Sequence, residues 1–246
     1  MSTPDTASTS VFNTRTDPPA LLAPRRHTWT LFGIVAVLTI LGALNDTRDL
    51  TAHQAPDAAS MIKTDLFMIG ILWFWVYFVY KGMRECGRSI REFFGPAPFT
   101  PGRLLADAAC GALAIALVYA GSLGIDYVIP ERAGLANNPI LSATPVGVAA
   151  SLVWICLSLS AGICEEIVFR GYLQRQLATL TGKIGLAILI QAAVFAVGHA
   201  YEGVGAVLHI VLHGLVLGAL AYWRGNIRAG IVQHAGWDLL VGFGLL

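Results

Sequence analysis

The residues able to do chemistry in this chain are crowded into its last third. Glu165, Glu166, Arg170, His199, His209, His213, His234 and Asp238 all fall in or beside stretches that are otherwise apolar. On a helix, Glu166 and Arg170 stand i,i+4 with the acid first, the order that favours an ion pair. Glu165 points about 100° away from Glu166 and remains as a second, partly desolvated carboxylate suited to act as a general base. Thr181-Gly182 separates two helical stretches, and a short connection makes such neighbours antiparallel. Glu165 precedes Thr181 by 16 residues and His199 follows Gly182 by 17. At helical rise both lie roughly 25 Å from that turn and so at one depth. Phe195, four residues before His199, shares its face. His234 and Asp238 are again i,i+4, which lets the carboxylate fix the tautomer and orientation of the imidazole. The same count sets His234 only about 13 Å from the turn at Gly225-Asn226, out of level with His199. Either the helix ending near His199 is half-spanning, or Gly203 and Gly205 break the backbone and let the helices slide. His209 and His213 share a face without the Glu of an HExxH motif and read as lumen-lining or packing residues. Gly214 and Gly218 form a small-xxx-small packing face.

The elements that must hold these residues are membrane helices. Of 246 residues, 56% are hydrophobic and 13% charged, against about 25% charged in a soluble domain. A net charge of +1 and no dense Lys/Arg block exclude a nucleic-acid binder. Apolar runs approach bilayer-spanning length at 28–45, 64–82, 104–127, 145–164 (helical beyond it), 184–199, 204–222 and 228–246. The expected fold is all-α: a polytopic transmembrane bundle of about seven spans, with a polar intramembrane site in its C-terminal helices. Residues 1–27, rich in Ser, Thr and Pro, read as a disordered cytoplasmic tail. Residues 28–144 read as N-terminal transmembrane helices and 145–246 as the catalytic core. The run after Arg26 has no convincing small-residue cleavage site and is expected to stay as the first helix. Ile90 to Phe94 reads as a short surface helix before a Gly-Pro-Ala-Pro turn.

Basic residues orient the bundle. With the N-terminus cytoplasmic, thirteen fall inside (Arg15, Arg25, Arg26, Lys81, Arg84, Arg88, Arg91, Arg103, Arg170, Arg175, Lys183, Arg224, Arg228) against Arg48, Lys63 and Arg132 outside. That bias predicts an inner or plasma membrane protein with its N-terminus in the cytoplasm. Cys86, Cys110, Cys156 and Cys164 have no ligand spacing and read as small hydrophobes.

Taken in order, Glu165-Glu166-x-x-x-Arg170, Phe195-x-x-x-His199, the Gly214/Gly218 stretch and His234-x-x-x-Asp238 resemble the CAAX-protease and bacteriocin-processing family of intramembrane proteases. The resemblance runs over roughly 145–242. The family has Asn or Asp at its last position, which Asp238 satisfies. It implies an endopeptidase that acts on a peptide or membrane-anchored protein near the membrane interface. In it Glu165 activates the attacking water with His199 as partner. His234 and Asp238 bind or polarise the scissile carbonyl, as an oxyanion hole does. Glu166 and Arg170 hold the frame. The resemblance also makes Glu165, His199 and His234 candidate zinc ligands; the lack of a tight HExxH spacing favours water activation by Glu165 and His199 without a metal. No role carries over to His209 or His213.

Other chemistries fit less well. Ser158 and Ser160 lack a strained nucleophile turn, and Cys164 cannot easily share one attack geometry with its neighbour Glu165. A proton-coupled transporter would use the same Glu, His and Asp set but should show an internal repeat, which the two halves do not. A non-catalytic membrane scaffold or immunity protein on the same helices is the remaining alternative.

Overall fold

The chain was analysed as a computed structural model that describes residues 20–49, 57–96, 100–128, 144–200 and 204–246. Among these residues there are seven helices and no strand. They are α1 (Arg25–Asp49), α2 (Ala58–Glu85) and α3 (Pro101–Val128), then a continuous α4 (Val148–Thr181). α5 (Ile184–Gly198), α6 (Val204–Arg224) and α7 (Arg228–Gly242) complete the set. A 3₁₀ turn at Ile90–Phe94 lies between α2 and α3. Each boundary has a local cause. Asp57 caps α2 by accepting from the Ser60 amide at 2.7 Å, and Ser89 with Glu92 forms a capping box over the 3₁₀ turn. α4 stops where Gly182 takes φ +68°, a left-handed conformation that costs glycine least.

α2, α3, α4 and residues Ala206–Arg224 of α6 are long and apolar enough to cross a bilayer, and α5 is a shorter apolar helix. Phe67, Trp73, Leu105, Leu113 and Leu117 point outward from these helices, as side chains facing lipid would. The chain is an integral membrane protein with a helical bundle fold. α2 packs on α4, α4 on α7, α7 on α3, and α5 on α6, while α1 lies along α5. The Gly214/Gly218 face is where α6 meets α5: a Cβ on Gly214 would come within 2.7 Å of the Ala192 Cβ. Two buried glutamines complete that contact. Gln191 donates to the Gly214 carbonyl at 2.8 Å and Gln174 to the Gly218 carbonyl at 2.9 Å, bonds that only a bare backbone lets them reach.

Two expectations shift. Residues 1–19 of the expected tail, with Arg15, lie outside the described residues, as do Arg132 and Gly203. Residues 20–27 belong to the packed fold rather than to a tail. Leu22 and Ala23 are buried; the Leu22 amide donates to Gln176 Oε1 at 2.8 Å, and Gln176 donates to the Ala23 carbonyl at 2.7 Å. The basic residues do gather at one end of the bundle, where Arg26 pairs with Glu85 and Arg224 with Asp107. Arg170 does not join them, because it is fully buried inside the bundle.

Candidate functional site

The centre of the site is a distortion in α4. From Glu166 to Leu173 the helix is π-wound, and the Gln174 amide bonds to the Phe169 carbonyl, five residues back. Such π segments are rare and occur frequently at functional sites. Glu165 and Glu166, at the start of this segment, keep ordinary α-helical backbone angles. Both reach toward one imidazole on α7. His234 Nδ1 lies 3.2 Å from Glu166 Oε1, and its Nε2 lies 3.6 Å from Glu165 Oε2.

Glu166 is doubly engaged. The same Oε1 accepts from Arg170 Nη1 at 2.7 Å, and both side chains are fully buried. The expected i,i+4 pair is therefore present, but it also carries His234. A carboxylate can only accept from the Nδ1 side, so Nδ1 bears hydrogen and Nε2 is directed at Glu165. Asp238, the residue expected to hold this ring, stands farther off, at 3.9 Å from Nε2. Hydrogen-bonding distance ends well short of that, whereas Glu166 lies within it. Gly230 makes room for it: a Cβ there would lie 2.6 Å from Glu166 Oε2.

Phe195 on α5 ties the second histidine to this cluster. Its ring centroid is 4.7 Å from that of His199 and 5.9 Å from that of His234 in an edge-on arrangement. The Arg170 guanidinium covers its face at 4.4 Å, a favourable cation–π distance. His199 Nδ1 is 2.9 Å from the Phe195 carbonyl; since a carbonyl only accepts, this fixes hydrogen on Nδ1 and leaves Nε2 as the accepting nitrogen. Glu165 and His199 both line a cavity of about 340 Å³ whose remaining walls, Leu31, Phe32, Met68, Trp75 and others, are apolar apart from Thr39.

The mismatch in depth between His199 and His234 disappears here, and the reason lies outside the helices being counted. The α6–α7 turn is not at the surface. Ile227 and Asn226 are buried beneath the 3₁₀ turn, where the Ile227 amide donates to the Phe93 carbonyl at 3.0 Å and Arg228 donates to the Phe94 carbonyl. α7 therefore starts from a recessed position, while α5 is only 15 residues long. A count that assumed both turns at one level could not register that offset.

Other sequence candidates fall elsewhere. His213 packs its ring against Trp237 at 4.5 Å. His209 sits between α6 and α3, 2.9 Å from Ser122 Oγ and 3.2 Å from Asp126 Oδ1. Ser158 donates to the Trp154 carbonyl within its own helix. Cys164 is buried beside Glu165 in the cavity wall. Residues the sequence reading passed over are Asp126 and Asp107, two acids inside the α3 span. Asp107 is buried and accepts from Arg224 at 2.6 Å and from Arg228. Their signal was visible, since an ionisable residue in a span demands a partner. Among the described residues no three His, Cys, Asp or Glu side chains converge to hold a metal ion. Glu165, His199 and His234 as arranged do not fit a zinc cage.

Residues 147–240 match a family model described as Rce1-like, type II CAAX prenyl endopeptidase Rce1-like. That stretch, which contains every residue of the cluster, is similar to that family; the first three helices lie outside the match. No curated protein and no solved structure matches the chain. A membrane-embedded endopeptidase is the class of protein that the match and the apolar helices support.

Proposed function

We propose that this chain is an intramembrane endopeptidase that hydrolyses a peptide bond of a membrane-associated protein near the membrane interface. The observation that carries the reading is that Phe195 packs on both His199 and His234, while Glu165 faces His234 and lines one cavity together with His199. Glu165 takes a proton from water, and the resulting hydroxide attacks the scissile carbonyl carbon. His199, its ring fixed through Nδ1, accepts at Nε2 the second hydrogen of that water. With Nδ1–H held by Glu166, His234 as the imidazolium presents Nε2–H to the oxyanion, and donors aimed at developing charge are worth most in a dry site. Asp238 balances the charge of that ring. Glu165 then delivers its proton to the departing amine nitrogen, so base and acid are one carboxylate in sequence. Glu166 and Arg170 act through His234 and are positioning residues.

The test is cleavage of a fluorogenic membrane peptide by purified protein in vesicles. Glu165→Gln keeps the shape of the side chain and should lower turnover by a factor on the order of 10²–10⁴, the usual worth of a general base, with folded yield near normal. A fully active Glu165→Gln protein would refute the assignment.

A further inference from the structure

α1 is attached to the rest of the bundle unevenly. At its basic end it is pinned on several sides. Thr28 shares a hydrogen bond with the Tyr172 hydroxyl at 3.0 Å, and Gln176 reaches Thr28 Oγ1 at 3.0 Å as well as the Ala23 carbonyl. His27 stacks on Phe78 with centroids 4.0 Å apart. It fills the notch left by Gly82, where a Cβ would lie 2.3 Å from the imidazole.

One turn further on the character changes. Phe32, Val35, Leu38 and Thr39 form one wall of the cavity that holds Glu165 and His199, and Met68, Ile71 and Trp75 of α2 form the facing wall. Val37 and Ile40 are exposed on the outside of α1. Along this part α1 rests on α5, and Thr39 Oγ1 bonds to the Val197 carbonyl at 3.2 Å while also reaching the Val35 carbonyl. Gly33 lies in mid-helix, directly after the first wall residues Leu31 and Phe32. A Cβ there would meet nothing within 4 Å, as at Gly70, Gly102, Gly124, Gly185 and Gly198 and in contrast to Gly82, Gly162, Gly171, Gly214, Gly218 and Gly230. Packing therefore gives no reason for a glycine, and its effect is to loosen the helix relative to alanine.

From this placement we infer that α1 is a lateral gate: it swings on the His27–Thr28 pin about Gly33, away from α5, and admits a substrate segment from the bilayer into the cavity beside Glu165. The inference rests on the proteolytic reading and specifies how its substrate arrives. The occupant is an apolar polypeptide segment already in the membrane, because the walls that part are apolar on both their lipid and cavity sides. A short water-soluble peptide has no need of that route.

The experiment bridges gate to frame. Thr39→Cys and Val197→Cys are combined in full-length protein with the four native cysteines replaced, joined by a short thiol-cleavable bis-maleimide, and compared before and after bridging. Two reporters carry the same scissile sequence: one embedded in vesicles by an apolar segment, one short and soluble. Bridging should slow the embedded reporter at least about tenfold, change the soluble one by less than about twofold, and be reversed on cleaving the bridge, as for a gating step. Gly33→Ala should slow only the embedded reporter. Equal rates before and after bridging, or equal loss on both reporters, would overturn the gate. So would failure of the linker to bridge the two positions. Absence of any cleavage by unbridged protein would instead sink the proteolytic reading.

Discussion

Replacing Glu166 with glutamine removes one negative charge from a place that water does not reach. The carboxylate accepts from Arg170 Nη1 at 2.7 Å with both side chains fully buried, and its Oε1 also faces His234 Nδ1 at 3.2 Å. Glutamine retains an oxygen of similar position but leaves the guanidinium without its counter-charge. Breaking a buried pair from one side costs about 3–5 kcal/mol. For chains of this length each kcal/mol moves the melting temperature by roughly 2–4 °C, so a fall of about 6–20 °C is expected. Thermal denaturation of detergent-solubilised protein, followed by a buried-thiol dye reporting on Cys164, measures it. Glu166→Gln combined with Arg170→Gln should recover part of the loss, because the stranded cation is gone. Turnover should stay low in both, since His234 has lost the charged partner that aims it. A Glu166→Gln protein melting within about 2 °C of the parent would refute the argument. So would a double variant whose loss equals the sum of the two single losses, because contacting partners of one ion pair do not add.

Gly230→Ala places a Cβ 2.6 Å from Glu166 Oε2, and with that side chain held by Arg170 the overpacking should cost about 1–3 kcal/mol along with activity; an active, fully stable variant would show the α4–α7 contact to be looser. Chelation tests the metal alternative: o-phenanthroline should leave turnover intact and active protein should hold far less than one zinc per chain, whereas stoichiometric zinc lost with activity in His199→Ala and His234→Ala would overturn the metal-free step. Single cysteines at position 88 and at position 57, the two ends of α2, should label from opposite sides of a sealed membrane, with 88 accessible only from the cytoplasm. Labelling of both from the same side would break the proposed topology.

Much of the helical order was legible in the chain because lipid leaves few alternatives. Apolar runs of the right length must be helices, and the starts and stops of α3, α5 and α6 fall within a few residues of those runs, while α2 begins six residues before its run. The Glu166–Arg170 pair was legible for the same reason that makes any i,i+4 pair so. What spacing hid was winding. Nothing in Glu-Ile-Val-Phe-Arg-Gly announces five-residue hydrogen bonding, yet the segment that carries Glu166 and Arg170 is wound that way. Rules for an α-helix gave His234 to Asp238, four residues away, when Glu166 on another helix lies nearer. The recess of the α6–α7 turn was likewise unreadable from α6 and α7 alone, because the 3₁₀ segment that covers it is more than a hundred residues earlier.

That covering segment has a consequence for how the protein is made. The Phe93 and Phe94 carbonyls receive Ile227 and Arg228, the Glu92 carbonyl receives Arg175, and the Phe93 ring sits under the Arg175 guanidinium at 5.2 Å. These acceptors leave the ribosome well before their donors, so the first half of the chain waits in the membrane as an unfinished mould. The last hairpin can close only by being pressed into it. A gene cut back to the stretch that matches the family would therefore encode a chemistry without its mould, and the missing half supplied as a separate polypeptide should restore it.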